Sequence, residues 1–288
     1  MNMLDVRTVM FSHLVTDTVC ALVLALLWYQ NRKRFAGTSF WVVDFVFQAT
    51  ATLLVILRGS VPDWMSMVLA NTLVIAGALA GYMGLQRFVG KIGPQVHNYI
   101  LLVAFAGVHT YFTSVQPNLE VRNLNLSLGL LMLCFQCAWL MLRRVQPGMR
   151  QTTQGVGLVF GAFCLVSLIR IVITLASPQP SNDFFQSGMY DTLVLMSYQV
   201  LLILLAYSLT LMVNQRLLME VQGQEEKFAK AFHSSPYAVA LTRLSDGHMF
   251  EVNDGFVNIT GYQYAEVIGK TTLDLRLWAK GGRSRSRC

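Results

Sequence analysis

Seven apolar runs, each about the length of a bilayer-crossing helix, divide residues 9–213 and constrain this chain more than anything else in it. A helix rises 1.5 Å per residue, so about 20 mainly apolar residues are needed to cross a hydrocarbon core of about 30 Å. The runs fall at 9–29, 38–57, 64–86, 97–115, 124–142, 153–176 and 188–213. Hydrocarbon offers no partner for a backbone N–H or C=O, so each run is expected to be a helix that closes its own hydrogen bonds. The connections are short, which predicts antiparallel neighbours in a bundle. Composition agrees: only 13% of residues are charged, too few to cover a water-facing surface, and mean hydropathy is +0.49.

The formal charge of +7 would suggest a nucleic-acid partner if it formed a patch. It does not, and no nucleic-acid partner is expected. The connections after the first, third and fifth runs carry Arg32, Lys33 and Arg34, then Arg87 and Lys91, then Arg143, Arg144 and Arg150. The alternate side has Arg7, Arg58 and Arg122. Basic loops stay cytoplasmic, which predicts an outside N-terminus and an inside C-terminus. Trp28, Tyr29, Trp41 and Trp139 would form an inner aromatic belt, and Trp64, Tyr111 and Tyr190 an outer one. Residues 1–8 lack the basic start of a cleavable signal peptide, so the first run is expected to stay in the membrane.

Two small-residue faces indicate close helix packing. Gly77 and Gly81 form one GxxxG, and Gly157 and Gly161 another. Packing within the chain is the first expectation for both. Cys20, Cys134, Cys137 and Cys164 fall inside apolar runs and read as small packing residues; no metal site or cofactor is assigned.

Ionisable side chains inside a membrane cost about 2.5–3.5 kcal/mol each on insertion scales, so they invite a functional reading. Here they are His13, Asp17, Asp44, His109, Arg170 and Asp191. His13 and Asp17 share a helix face. All but Asp44 map to the outer half of their runs. The candidate ligand-binding set is therefore His13, Asp17, His109, Arg170 and Asp191, lining a cavity open to the periplasm, with Arg170 as counter-ion to Asp17 or Asp191. The same residues can instead be interhelical structural pairs, or, with two histidines and a carboxylate, could hold a transition metal.

At Asn214 the chain becomes polar. Residues 214–228 predict a helical linker continuing from the seventh run, with Leu218, Val221, Phe228 and Phe232 near the spacing of a two-helix seam. A second copy could pair there. Residues 229–279 then read as soluble α/β: a strand over 236–244, a turn at Asp246 and Gly247, a return strand over 248–253, a short helix from Asp254 ended by Gly261, and another helical turn over 264–268 closed by Gly269. The basic tail, 280–288, follows.

The segment FHSSPYAVALTRLSDGHMFEVNDGFVNITGYQYAEVIGKTTLDL (232–275) resembles the first half of a PAS domain. The matching elements are Ser-Ser-Pro before the first strand, Asp246-Gly247 at the turn, Val252-Asn253 closing the second strand, Phe256, then Gly261 and Tyr262, then Gly269. The resemblance implies that Asn253 caps the next helix and anchors the nearby backbone. About 50 residues of an expected 100 are present, without the segments that carry the family's haem or flavin sites, so it implies no cofactor. The tail KGGRSRSRC departs from the family pattern and suggests a truncated or frame-shifted product.

The membrane portion, in LDVRTVMF, WYQNRKRFAGTSFW, LRGSVPDWMSMVLANTL and GLQRF, resembles the sensory region of bacterial diguanylate cyclases and PAS-containing histidine kinases. No GGDEF-type motif, kinase histidine box or Gly-rich ATP-binding segment follows, so no catalytic activity is expected. The expectation is a bacterial inner-membrane signal-transduction protein. It would relay a periplasmic or membrane cue to its cytoplasmic PAS unit, and from there to an output domain or partner. The alternative is a transporter or channel using the same buried residues, although no inverted repeat or Pro-broken helix pair is visible. A membrane-embedded enzyme built on His13, Asp17 and His109 matches no known catalytic spacing.

Overall fold

The computed structural model describes residues 6–176 and 189–277. It is mostly helical, and its contacts divide the chain into two compact units, Met1–Gln215 and Arg216–Cys288.

In the first unit, α1 covers Val6–Asn31, α2 Thr38–Ile56, α3 Ala70–Phe88, α4 Val96–Ser114, α5 Leu119–Trp139 and α6 Arg150–Ala176; α7, Met189–His233, begins there and runs past Gln215 into the second unit. A π-helical turn, Trp64–Leu69, leads into α3, and a second, Leu140–Arg144, ends α5. Six of these helices, counted with their π-turns, are long and apolar enough to cross a membrane. Six of the seven expected spans thus meet this measure, and α4 does not. The fourth, VHNYILLVAFAGVHTYFTS, is as long as α2, but His97, Asn98, His109 and a Thr/Ser-rich end dilute its apolar character.

The bundle is inverted relative to a water-soluble one. On α1, Phe11, Val15, Val19, Leu22 and Leu26 form an exposed apolar stripe at helical spacing. His13, Asp17, Cys20 and Leu24 occupy the buried face. Apolar side chains outward and polar ones inward suit a lipid surround, where burying more leucine gains nothing. Sequential helices pack on one another, α1 on α2, α2 on α3 and α5 on α6, while α5 also touches α3 and α4. α7 joins both ends of the series. Gln199 donates to Ser12 Oγ (3.0 Å) and Thr16 Oγ1 (2.8 Å) of α1, and Tyr198 hydrogen-bonds Ser167 of α6 (3.1 Å).

The first GxxxG packs within the chain. A Cβ on Gly77 would lie 2.7 Å from Asp44 Oδ1, and one on Gly81 2.6 Å from Asp44 Oδ2. The two glycines thus form a notch that admits the Asp44 carboxylate between α2 and α3. Gly157 similarly faces Leu142, whereas Gly161 has open space around it. Trp41 is not part of an aromatic belt. It is buried against Phe88 (ring centroids 5.3 Å apart) and over Gly84. Tyr29, Trp64, Tyr111 and Trp139 are exposed.

The second unit contains a two-stranded antiparallel sheet, β1 Ala240–Thr242 and β2 Met249–Val252, and two short helices, α8 Asp254–Thr260 and α9 Tyr264–Val267. Both strands are shorter than expected. Backbone before β1 is claimed instead by Asn253, and a register irregularity falls between Leu241 and Thr242. Met249, Val252, Phe256, Val267 and Leu275 form the small core, with Tyr262 packed against it. Gly261 and Gly269 both adopt left-handed backbone, ending α8 and closing the turn after α9. Of the apolar residues of α8, Phe256 is buried and Ile259 is 62% exposed. The basic tail and Cys288 lie outside the described residues.

Candidate functional site

Inward-facing polar residues of all seven helices surround one cavity of about 180 Å³ in the first unit. α1 contributes His13, α2 Asp44, Gln48 and Thr52, and α3 Asn71. α4 contributes His109, α5 Arg122 and Asn123, α6 Arg170, and α7 Tyr198. Met10, Phe160, Phe163, Leu202 and Leu205 supply apolar wall. The first π-turn places Ser66 and Met67 on the same wall. A π-turn holds one more residue than an α-turn and so re-aims the side chains it carries.

Three of the five sequence-predicted residues line the cavity directly: His13, His109 and Arg170. The other two stand behind them. Asp17 lies 3.5 Å from His13 Nε2 and accepts a hydrogen bond from Thr52 Oγ1 (3.0 Å). Asp191 lies 3.8 Å from the Arg170 guanidinium, which settles its carboxylate partner as Asp191 rather than Asp17. Asp44, set apart by its place in the sequence, lines the same cavity. It accepts from Gln48 Nε2 (3.0 Å), which also donates to Val74 O (3.3 Å).

Arg58 and Arg122, expected as loop charges, were the main omissions. Both line the cavity. Arg122 lies in the first turn of α5, which starts earlier than expected because Asn118 caps it, its Oδ1 accepting from Val121 N (3.1 Å). That cap and Glu120 in the first turn are sequence signals from which the helix start could have been read.

Several of these groups lack hydrogen-bond partners among the described residues. His109 is 2% exposed, stacks on Phe105 (5.2 Å), and has neither ring nitrogen bonded. Arg122, 6% exposed, spends one amino group on the Met67 sulfur (2.8 Å) and leaves Nε unbonded. Arg170 Nε and His13 Nδ1 are likewise unbonded. A buried polar group without a partner costs about 1–3 kcal/mol, and more when charged. Several of them cluster around this one cavity. Among the described residues no group of three or more His, Cys, Asp or Glu could hold a metal ion.

Away from the cavity Trp41 Nε1 and Tyr190 Oη are also buried without a partner among the described residues, but most polar clusters are internally bonded. Gln86, Gln95, Asn98 and Gln136 join α3, α4 and α5 through an amide chain with contacts of 2.6 to 3.2 Å. In the second unit the fully buried Asn253 side chain makes five hydrogen bonds. Its Oδ1 accepts from Val239 N (2.8 Å) and Phe256 N (2.9 Å). Its Nδ2 donates to the carbonyls of Phe232 (2.9 Å), Ser235 (3.2 Å) and Tyr237 (2.9 Å). Asn253 is thus both helix cap and backbone anchor. Gly255 packs so closely on Tyr237 O that no Cβ would fit. Tyr262 donates its hydroxyl to Leu275 O (3.0 Å).

No family model, curated protein or solved structure matches the chain.

Proposed function

We propose that this is a membrane receptor for signal transduction, in which the helical bundle senses a periplasmic or membrane-borne cue and passes it to a cytoplasmic PAS-type unit. The observation that carries this reading is the cavity, with buried His109, Arg122 and Arg170 bearing unbonded nitrogens on its wall. A bundle that needed polar groups only for packing would pair them, as the Gln86–Gln136 amide chain does. All seven long helices would span the membrane, α4 turning Val96, Ile100 and Val103 outward toward lipid and Asn98, Phe105 and His109 inward. The basic loops support a cytoplasmic C-terminus in a bacterial inner membrane. The PAS reading rests on the ordered residues from Ser234 to Gly269, and the Asn253 node supports it. The output would be a diguanylate cyclase, a histidine kinase or a separate partner, and α7 the route to it.

Transport is the competing use of such a cavity. The described membrane helices contain no proline in their α-helical runs, and none is broken in mid-course as transporter binding helices commonly are.

The test is to fill the cavity. Ala78 lies on its wall, and Ala78→Phe would occupy it. Hydrogen exchange on the whole chain in nanodiscs is expected to change within Arg216–Thr260. Unchanged exchange there, in a folded variant, would rule out the relay. Solute flux across proteoliposomes would favour the transporter.

A further inference from the structure

Building on the receptor reading, we infer that the cavity takes a small monocarboxylate with an apolar body about the size of benzoate. The unbonded atoms reveal the sign of the ligand. The cavity-lining residues His13, His109, Arg122 and Arg170 all present nitrogen: His13 Nδ1, both nitrogens of His109, Arg122 Nε and Arg170 Nε. A guanidinium only donates, and it keeps its charge at any physiological pH. An imidazole can donate from one nitrogen and accept at the other, so the sign is set by Arg122 and Arg170: what their unbonded N–H groups lack is an acceptor, and a carboxylate is the acceptor whose geometry a guanidinium matches.

The carboxylates nearby are already engaged. Asp44 is held by Gln48 in the Gly77–Gly81 notch and Asp191 by Arg170; Asp17 commits Oδ2 to Thr52 and His13, and its unbonded Oδ1 belongs to a residue behind the cavity wall, not on it. Asp63 acts electrostatically on Arg122, as does Arg58, which lines the cavity beside it. Arg122 also lies within electrostatic reach of His109. These two, both nine-tenths buried or more, form the acceptor-binding end. Arg170 is the weaker candidate because Asp191 already faces it.

Size and wall chemistry fix the remainder. A dry cavity of about 150 Å³ accepts benzene, and a water-sized group takes about 30 Å³. The observed 180 Å³ leaves room for one ring-sized body and one small polar group. Phe160, Phe163 and Leu202 offer that body an apolar wall. Inorganic phosphate would leave the wall unused, and a long acyl chain would not fit.

The experiment is a calorimetric titration of the whole chain in nanodiscs with benzoate, benzamide and benzylamine, using empty nanodiscs as the blank. Benzoate is expected to bind saturably and at least about tenfold more tightly than either analogue. Arg122→Gln should weaken benzoate at least about tenfold and leave benzamide unchanged. If that variant does not fold, the three-probe comparison on the unaltered protein decides alone. Preference for benzamide or benzylamine, or unchanged benzoate affinity in folded Arg122→Gln, overturns the anion assignment and leaves the cavity as a ligand site. Binding of none of the three overturns both the assignment and the receptor reading.

Discussion

Asn253 and His109 are buried to nearly the same degree, 0% and 2% exposed, yet they sit at opposite extremes of satisfaction. Asn253 makes five hydrogen bonds; His109 makes none among the described residues. Burial alone thus says little about what a polar side chain is for. A side chain with every lone pair and proton committed is holding backbone in place. One left unbonded in a low-dielectric interior is costly to keep, and that cost is understandable when something else completes it.

The largest way to break this contrast is at Asn253. Asn253→Ala strands the Val239 N–H, leaves the Phe256 N–H only its bond to the Asn253 carbonyl, and releases three carbonyls, so the second unit should lose about 3 kcal/mol. Hydrogen exchange of residues 237–256 in the intact chain reads this directly, and unchanged protection would mean the node is incidental. Next comes the notch. Gly77→Leu drives a side chain into the Asp44 carboxylate and should cost the bundle about 1–3 kcal/mol, measured by denaturant titration in mixed micelles. A smaller effect of opposite sign sharpens the comparison. His109→Leu removes an unbonded imidazole and keeps an apolar volume, so stability should stay level or rise by up to about 1 kcal/mol. A loss instead would show that the imidazole is structurally committed, and the contrast with Asn253 would collapse.

The weakest effect concerns pH in the second unit. The His248 backbone N–H holds the Asp246 carboxyl below its ordinary 3.8, helped by the His248 and Arg243 side chains. The Thr271 backbone N–H, with its hydroxyl, does the same for Asp274. Both groups are depressed on folding, so their contribution is complete above the unfolded value and fades as pH falls through the folded one. Both are solvent-exposed, so the change should be local. The His248 and Thr271 amide resonances should move below about pH 4 while core amides stay fixed. Absence of any movement of these two amides below about pH 5 would contradict these assignments.

Much of this was legible in the sequence. Hydropathy located every long helix, because bilayer-crossing segments satisfy their own backbone and need no tertiary partner to exist. The i,i+4 spacing joined His13 to Asp17, and turn residues marked Gly247, Gly261 and Gly269. What stayed hidden depended on helix phase and tilt. Asp44 falls far from His109 along the chain's expected depth, yet both reach one cavity. Arg122 read as a loop charge because it precedes the apolar run at 124, whereas the Asn118 cap starts the helix earlier. Neither π-turn has a local sequence signature, since each arises from packing. The short strands were over-extended because alternation over 236–244 cannot reveal that Asn253 takes the backbone preceding Ala240.

The π-turn at Trp64–Leu69 amounts to a dislocation in an otherwise regular lattice of hydrogen bonds. One surplus residue corresponds to a twist of about 100° between the segments on either side. The core of that dislocation lies in the cavity wall, and the sulfur that Arg122 touches, on Met67, sits inside it.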